Sequence, residues 1–575
     1  MVTIHSVTPV SGSFLVHGGA GTDNNRTTEE AAQTVSHLST TGADLIRSQA
    51  GQTRVQTASK STTSIFLEVV LQGGGTKFEN IECDVLIVSS FEGAIGLTDE
   101  AKSVNKAING LIKQAIEDDN FKGKLGSTLI LRTNGLIPAK KVIVVGLGEK
   151  DKFDLDALRR ASAAAIRVAK REGANVIGSD AYGISTIDPM QKVLIKMIVQ
   201  TITEVSQLAI YGFDKYKSST GESGGIQKLI IRNPNKRISE VIEDGIKTGN
   251  LVAKAQRLSR DLASEPGSIG TPTYLAQVAS KVAGENGLDI KILDEDECRA
   301  LGMNAFLAVA RGSNEPPKFI VMKYTPIDVK PKKHVAIIGK GVTFDAGGLS
   351  IKTASGMETM KTDKSGAAAV IATMSVIKEL NPDVAVTAIV AATENMLGGS
   401  AYKPGDVVRA MNGKTIEILN TDAEGRVTLA DATSYAVMKL EPKPDEIIDL
   451  ATLTGACVVA LGDTAGVMTN NQELADKVLK AGNEAGERMW QLPLYDSDRA
   501  HIRSDVADIK NTGAPGKAGA QSGAAFIEHF VGGDTPWVHI DIAGPSRLDK
   551  EDEYSPRGPS GFGVKTLINY LANYA

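Results

Sequence analysis

Val335-Ala336-Ile337-Ile338-Gly339 is a short, unbroken apolar run. A strand with no polar alternation is covered on both faces, as in a parallel sheet layered between helices. Other runs of strand length accompany it at Phe319–Tyr324, Val384–Ala391, Glu446–Leu450 and Val538–Ile542, with helical stretches between them such as Gly366–Glu379. This predicts a larger C-terminal α/β domain over 266–575, with a mixed, mostly parallel sheet flanked by helices. A similar alternation runs over 61–235: apolar runs Ile65–Leu71, Val85–Ser89, Thr128–Leu131 and Val142–Gly146, and helical segments Ala101–Asp118 and Leu155–Arg171. It predicts a separate N-terminal α/β domain. Between the two, Ile238, Ile242, Ile246, Val252, Ala255, Leu258 and Leu262 keep helical spacing, and Pro266 and Pro272 follow. Residues 236–265 therefore read as a connecting helix.

Residues 1–60 are rich in Ser, Thr, Gly, Gln and Asn and read as a flexible extension. Within it, Val16-His17-Gly18-Gly19-Ala20-Gly21 resembles the start of isoaspartyl-peptidase-type hydrolases, but nothing later completes such a site, so it reads as a loop. The net charge of −5 gives no reason to expect nucleic-acid binding. The three cysteines, Cys83, Cys298 and Cys457, are too scattered for a disulfide framework and suit a reducing, cytoplasmic setting. No apolar stretch reaches the length that spans a bilayer, so no membrane partner is expected.

The run at Val335 leads into Lys340-Gly341-Val342-Thr343-Phe344-Asp345, then Ser350-Ile351-Lys352 and Met360-Lys361-Thr362-Asp363. A second cluster, Asn420-Thr421-Asp422-Ala423-Glu424-Gly425-Arg426, follows the strand-like run Thr415–Leu419. It would sit on a turn leaving a strand end, where open α/β sheets bind ligands. Asp422 and Glu424 are two apart and would point the same way in extended backbone. A lone Asp or Lys is ordinarily a solvated surface charge. Four carboxylates and two lysines in Gly-bounded segments instead suggest a site for hard divalent cations.

These segments closely resemble the leucyl aminopeptidases, the cytosol aminopeptidases that use two metal ions. The likeness continues through Asp449–Ala456 and Trp537–Gly544; it covers about residue 260 to the end, weakens before that and is absent over the first sixty residues. It implies that Lys340, Asp345, Asp363 and Glu424 hold the tighter ion, and that Asp345, Asp422 and Glu424 hold the exchangeable one. Zinc or manganese is expected, with magnesium or cobalt as alternatives. A lysine ligand must be a neutral amine, so Lys340 would need a lowered pKa beside the cations. The resemblance further implies that Lys352 stabilises the oxyanion and that Arg426 holds a bicarbonate ion as proton shuttle. Met357, Met360, Asn420, Thr452, Leu453, Gly455 and Ala543 match positions that line the pocket for the first side chain.

The function implied is removal of N-terminal residues, Leu and other apolar ones preferred, from peptides with a free N-terminus, by a homo-hexamer. The region 61–235 would then serve regulation or assembly. The chain departs from the family at Lys364-Ser365, where a Met-Gly pair is common, and this puts a cation beside Asp363. A two-metal phosphoesterase would usually add His ligands; the chain has only seven His, none in a His-Glu-x-x-His arrangement. A non-catalytic scaffold or DNA-binding relative would have lost site residues, and all seven are present. His539 and Asp541 read as structural.

Overall fold

Two separate sheets organise the chain. In the computed structural model, residues 66–574 are described apart from 74–75, 94–95, 183–186, 219–224, 328 and 553. The readings of residues 1–60 and of Val16–Gly21 lie outside them. Residues Thr63–Ala575 group as one unit by their contacts.

The first sheet comprises β1 (Glu68–Gln72), β2 (Val85–Ser90), β3 (Thr128–Arg132), β4 (Lys141–Gly146), β5 (Val176–Ser179) and β6 (Lys228–Arg232), in the order β1-β6-β5-β2-β4-β3. Every pairing is parallel except that of β3 with β4. Strand β2 is buried along its whole length, as its apolar sequence demands. The helix predicted over Ala101–Asp118 is two helices, Asp99–Ala107 and Leu111–Asp118. Asn109 and Gly110 both take positive φ between them, a conformation that ends a helix whatever the apolar spacing on either side. The connecting helix runs Ser239–Ser264.

The second sheet comprises β7 (Asp289–Leu293), β8 (Lys318–Tyr324), β9 (His334–Asp345), β10 (Ala385–Asn395), β13 (Glu446–Ala451), β14 (Ala465–Thr469), β15 (Met489–Gln491) and β17 (Trp537–Asp541). A small sheet of β11 (Val407–Arg409), β12 (Thr415–Glu417) and β16 (Ile509–Lys510) lies apart from it. The large sheet runs β15-β14-β17-β13-β9-β10-β8-β7. Its centre, from β17 through β13 and β9 to β10, is parallel, and β7, β8 and β14 pair antiparallel. The sheet is thus mixed and helix-flanked. Along β9, Val335 and Ile337 enter one core, with the helices Ser239–Ser264, Pro272–Asn286 and Ser365–Met374. Ala336 and Ile338 enter the other, with Glu424–Lys439 and Gly519–Val531. This is the two-faced burial that an unbroken apolar strand requires.

Three central strands end together. Asp345 closes β9, Asn395 closes β10 and is its register partner, and Thr452 directly follows β13. The carboxyl edge of a parallel sheet is where such folds build their sites.

Candidate active site

Strand β9 continues six residues past the apolar run that ends at Gly339, and carries Lys340 within it. Lys340 Nζ lies 2.8 Å from both oxygens of Asp363, 2.8 Å from Glu424 Oε1 and 2.9 Å from the carbonyl oxygen of Thr452. It is 3% exposed. Gly425 makes this approach possible, because a Cβ there would stand 2.7 Å from Lys340 Nζ. Burial opposes the charge on Lys340, but Asp363 and Glu424 outweigh it and hold the ammonium above its usual range. The ammonium must therefore lose its proton before its nitrogen can ligate a metal.

Lys352 Nζ stands 2.8 Å from Asp345 Oδ2 and 2.5 Å from Asp422 Oδ1. Burial works against its charge too, and Asp345 and Asp422 together prevail and raise it. Against these two ammoniums stand four carboxylates, Asp345, Asp363, Asp422 and Glu424, which when all ionised leave a surplus of two negative charges. Burial pushes Glu424 up to about 8 and Asp363 up to about 6, with Asp345 adding repulsion in both cases. Burial also raises Asp422.

Oxygen atoms of Asp345, Asp422 and Glu424 lie within 4.8 Å of one another. A crowded set of hard oxygens whose charge two lysines do not neutralise fits divalent cations, and the five residues Lys340, Asp345, Asp363, Asp422 and Glu424 would hold them.

The approach of Asp422 and Glu424 differs from the extended backbone expected. Strand β12 ends at Glu417, residues Asn420–Ala423 form a turn, and Glu424 opens the helix Glu424–Lys439. β12 belongs to the small sheet, so the acidic cluster reaches the large sheet's edge from the side. Arg426 lies in the first turn of that helix, and its Nη1 donates to the Asn511 carbonyl at 3.1 Å. Burial lowers its pKa.

The pocket residues separate. Asn420, Leu453 and Gly455 line a cavity of about 230 Å³ with Asp422 and Arg426. Met357, Met360, Thr452 and Ala543 do not line that cavity, and all four are partly exposed. Thr452 meets the carboxylates directly, its Oγ1 donating to Asp363 Oδ1 at 2.7 Å. Lys364 is fully buried, and its Nζ donates to the Glu265 carbonyl at 3.2 Å. Burial, then Lys361, lowers it to about 8.

Three buried residues hold the site together: Asn395 and Asn511, which the sequence did not single out, and Asp541, which it marked as structural. Asn395 Nδ2 donates to Asp345 Oδ1 at 2.8 Å and to the Thr421 carbonyl at 3.0 Å, and lies 3.5 Å from Glu424 Oε2. Asn511 donates to the Asn420 carbonyl at 2.6 Å and accepts from Leu419 N at 2.9 Å. Asp541 accepts from Thr454 Oγ1 at 2.6 Å and from Leu453 N at 3.2 Å, so it orients the loop after β13. For Asn395 there was a signal: Glu394-Asn395 is a polar pair directly beyond a buried strand run. His539 is buried against Asp449, Nδ1 to Oδ1 at 2.6 Å, in keeping with a structural role.

Residues 257–568 match the catalytic domain of the cytosol aminopeptidase family, and residues 87–220 match its N-terminal domain. The likeness thus extends well before residue 260. A probable cytosol aminopeptidase of Sulfurihydrogenibium sp. (strain YO3AOP1) is 44% identical over 498 residues, covering 86% of this chain and 96% of that protein. One of Alkaliphilus oremlandii (strain OhILAs) is 42% identical over 497 residues, 86% of this chain and 97% of its own. Among solved structures, a mutant of tomato leucine aminopeptidase superposes with a TM-score of 0.79 at 33% identity, covering 88% of this chain and 96% of its own. The bottromycin maturation enzyme BotP in complex with Mn gives 0.74 at 31% identity, covering 85% and 99%. The chain belongs to the cytosol aminopeptidase family and is a metallo-exopeptidase.

Proposed function

We propose that this enzyme removes N-terminal residues, Leu and other apolar ones preferred, from peptides with a free amino group, using two divalent ions per subunit. Zinc or manganese is the proposed metal, with magnesium or cobalt able to substitute. The observation that carries the reading is the meeting of Lys340, Asp345, Asp363, Asp422 and Glu424, from separate segments, in one buried cluster beside Lys352.

Two divalent ions held there would supply a hydroxide near neutral pH and polarise the scissile carbonyl. Lys352 keeps its proton and is partly exposed, so it can donate to the oxyanion as charge develops on the substrate. Arg426 is proposed to hold a bicarbonate ion in bidentate fashion, and that bicarbonate would shuttle a proton to the leaving amine. The first side chain of the substrate would rest against Met357, Met360, Asn420, Thr452, Leu453, Gly455 and Ala543, where the methionines give an adaptable apolar wall.

We further infer a division into an N-terminal domain over 61–235, a connecting helix over 236–265 and a catalytic domain over 266–575, assembled as a cytoplasmic homo-hexamer. The three free cysteines suit a reducing compartment. None of the described helices is long and apolar enough to cross a membrane.

Hydrolysis of Leu-4-nitroanilide before and after chelation tests the reading. Activity should vanish with the metal and return with zinc or manganese. An undiminished rate in protein stripped of metal would refute it.

A further inference from the structure

Two lysines flank Asp363 and tie its backbone to the connecting helix. Lys361 Nζ donates to the Ser264 carbonyl at 2.7 Å, and Lys364 Nζ donates to the Glu265 carbonyl at 3.2 Å. Ser264 ends the helix Ser239–Ser264 and Glu265 is its C-cap, so both ammoniums sit at the negative end of the helix dipole. Gly270 leaves room for the second tether, because a Cβ there would stand 2.7 Å from Lys364 Nζ. Asp363 itself is gripped by Lys340 and by Thr452 Oγ1. In the reading above Lys340 turns its nitrogen to metal. The two backbone tethers then do more to set where the Asp363 oxygens stand.

The buried side chain of Glu265 is met from the other domain. Its Oε1 pairs with Lys215 Nζ at 2.5 Å, and its Oε2 accepts from the Tyr216 hydroxyl. Lys215 and Tyr216 lie in the stretch 87–220 that matches the N-terminal domain of the family, and Glu265 lies in the stretch that matches its catalytic domain. Lys215 Nζ stands over the Tyr216 ring, 5.5 Å from its centre, and the Phe213 ring packs 5.9 Å from the same centre. Residues 213–216 thus form a short arm that ends on one carboxylate, and that carboxylate belongs to the residue on which Lys364 is anchored.

We infer that Lys215 and Tyr216 are positioning residues for the metal centre: acting through Glu265 and Lys364, the N-terminal arm sets the placement of Asp363 and so the affinity for the tighter ion. This rests on the two-metal reading. Without the arm, Glu265 loses its ion-pair partner and a hydrogen bond while it stays buried. A buried carboxylate left so draws on the nearest cation. Lys364 is already at the carbonyl of the same residue, so it shifts toward the carboxylate and Asp363 shifts with it.

Competition between the full-length enzyme and a chelator for zinc tests this without reference to turnover. Tyr216→Phe and Lys215→Met should each weaken the tighter site about 10–100-fold, as loss of an outer partner does, with circular dichroism unchanged. Lys364→Met, which installs the side chain common at this position in the family, tests the route. In that background Tyr216→Phe should change zinc affinity by about twofold at most, whereas independent contacts would add in full. Tyr211→Phe removes a hydroxyl that bonds Asp261 Oδ1 at 2.7 Å from the same loop. It should lower the melting temperature and leave zinc affinity alone. Parent-like zinc affinity in Tyr216→Phe and Lys215→Met overturns the inference. So do losses that add in full with Lys364→Met, and so does an equal loss in Tyr211→Phe, which would reduce the arm to domain docking. A parent enzyme that takes up no divalent ion overturns the two-metal reading as well. A parent that holds two ions, beside arm variants that hold them as tightly, overturns the inference alone.

Discussion

Lys340 Nζ and Glu424 Oε1 lie 2.8 Å apart, one on the central strand β9 and the other on the first residue of a helix. That contact fastens the acidic turn to the sheet edge: Lys340 and Asp345 lie on β9, Glu424 opens the helix, and Asp422 is carried on the turn between. A site built this way should respond to substitution in its chemistry before its fold.

Lys352→Ala should lower kcat more than it raises KM, because the oxyanion needs the ammonium chiefly in the transition state. The expected loss is on the order of 10²–10³. Arg426→Ala should be milder, since buffer anions can replace part of its role. Steady-state kinetics checks both, and an unchanged kcat in Lys352→Ala would remove this residue from the reaction.

Replacing Asp422 or Glu424 with Ala should strip the exchangeable ion and abolish activity while circular dichroism stays native. Metal analysis should find fewer ions per chain than in the parent enzyme. Retention of two ions with normal rates would mean that these carboxylates are not ligands.

Asn395→Ala removes a donor to Asp345 Oδ1 and to the Thr421 carbonyl. Outer partners of metal-ligating carboxylates are typically worth about 10–100-fold in metal affinity or activity. A loss of that size in metal affinity, measured by competition with a chelator, is expected without loss of the fold.

Asp345 and Glu424 were legible because each stands in a local pattern: a carboxylate just beyond an apolar strand, and an acidic turn before a helix. The strands β2, β4, β8 and β13 were legible as mostly apolar runs of strand length. Asn395 is marked only as a polar residue at the end of an apolar strand, and Asn511 not at all, because what they do depends on partners 50 and 91 residues away, which no window of sequence contains. The break at Asn109-Gly110 was hidden by apolar spacing that continues across it. Of the small sheet only the run at Thr415 was read as a strand; its two partners have three and two residues, too few to leave a pattern.

Stability should carry a pH dependence from Asp180, which lies beyond β5 in the first sheet. Burial, then Glu100, pushes its carboxyl up to about 7, whereas an unfolded Asp titrates near 3.9. The fold therefore prefers the protonated form. Its contribution is full below about pH 4, falls as pH rises toward 7 and is gone above that. The span is on the order of a few kcal/mol. Asp180→Asn should flatten it: between pH 5 and pH 8 the melting temperature of the variant should fall less than that of the parent enzyme.

The central claim is that the substrate is recognised by its free amino group at the carboxylate cluster. Leu- and Met-initiated peptides, each offered free and N-acetylated to the metal-loaded enzyme and followed by mass spectrometry, test this most directly. The account predicts release of the first residue from the free peptides and none from the acetylated ones. Equal cleavage of free and acetylated peptides would contradict it.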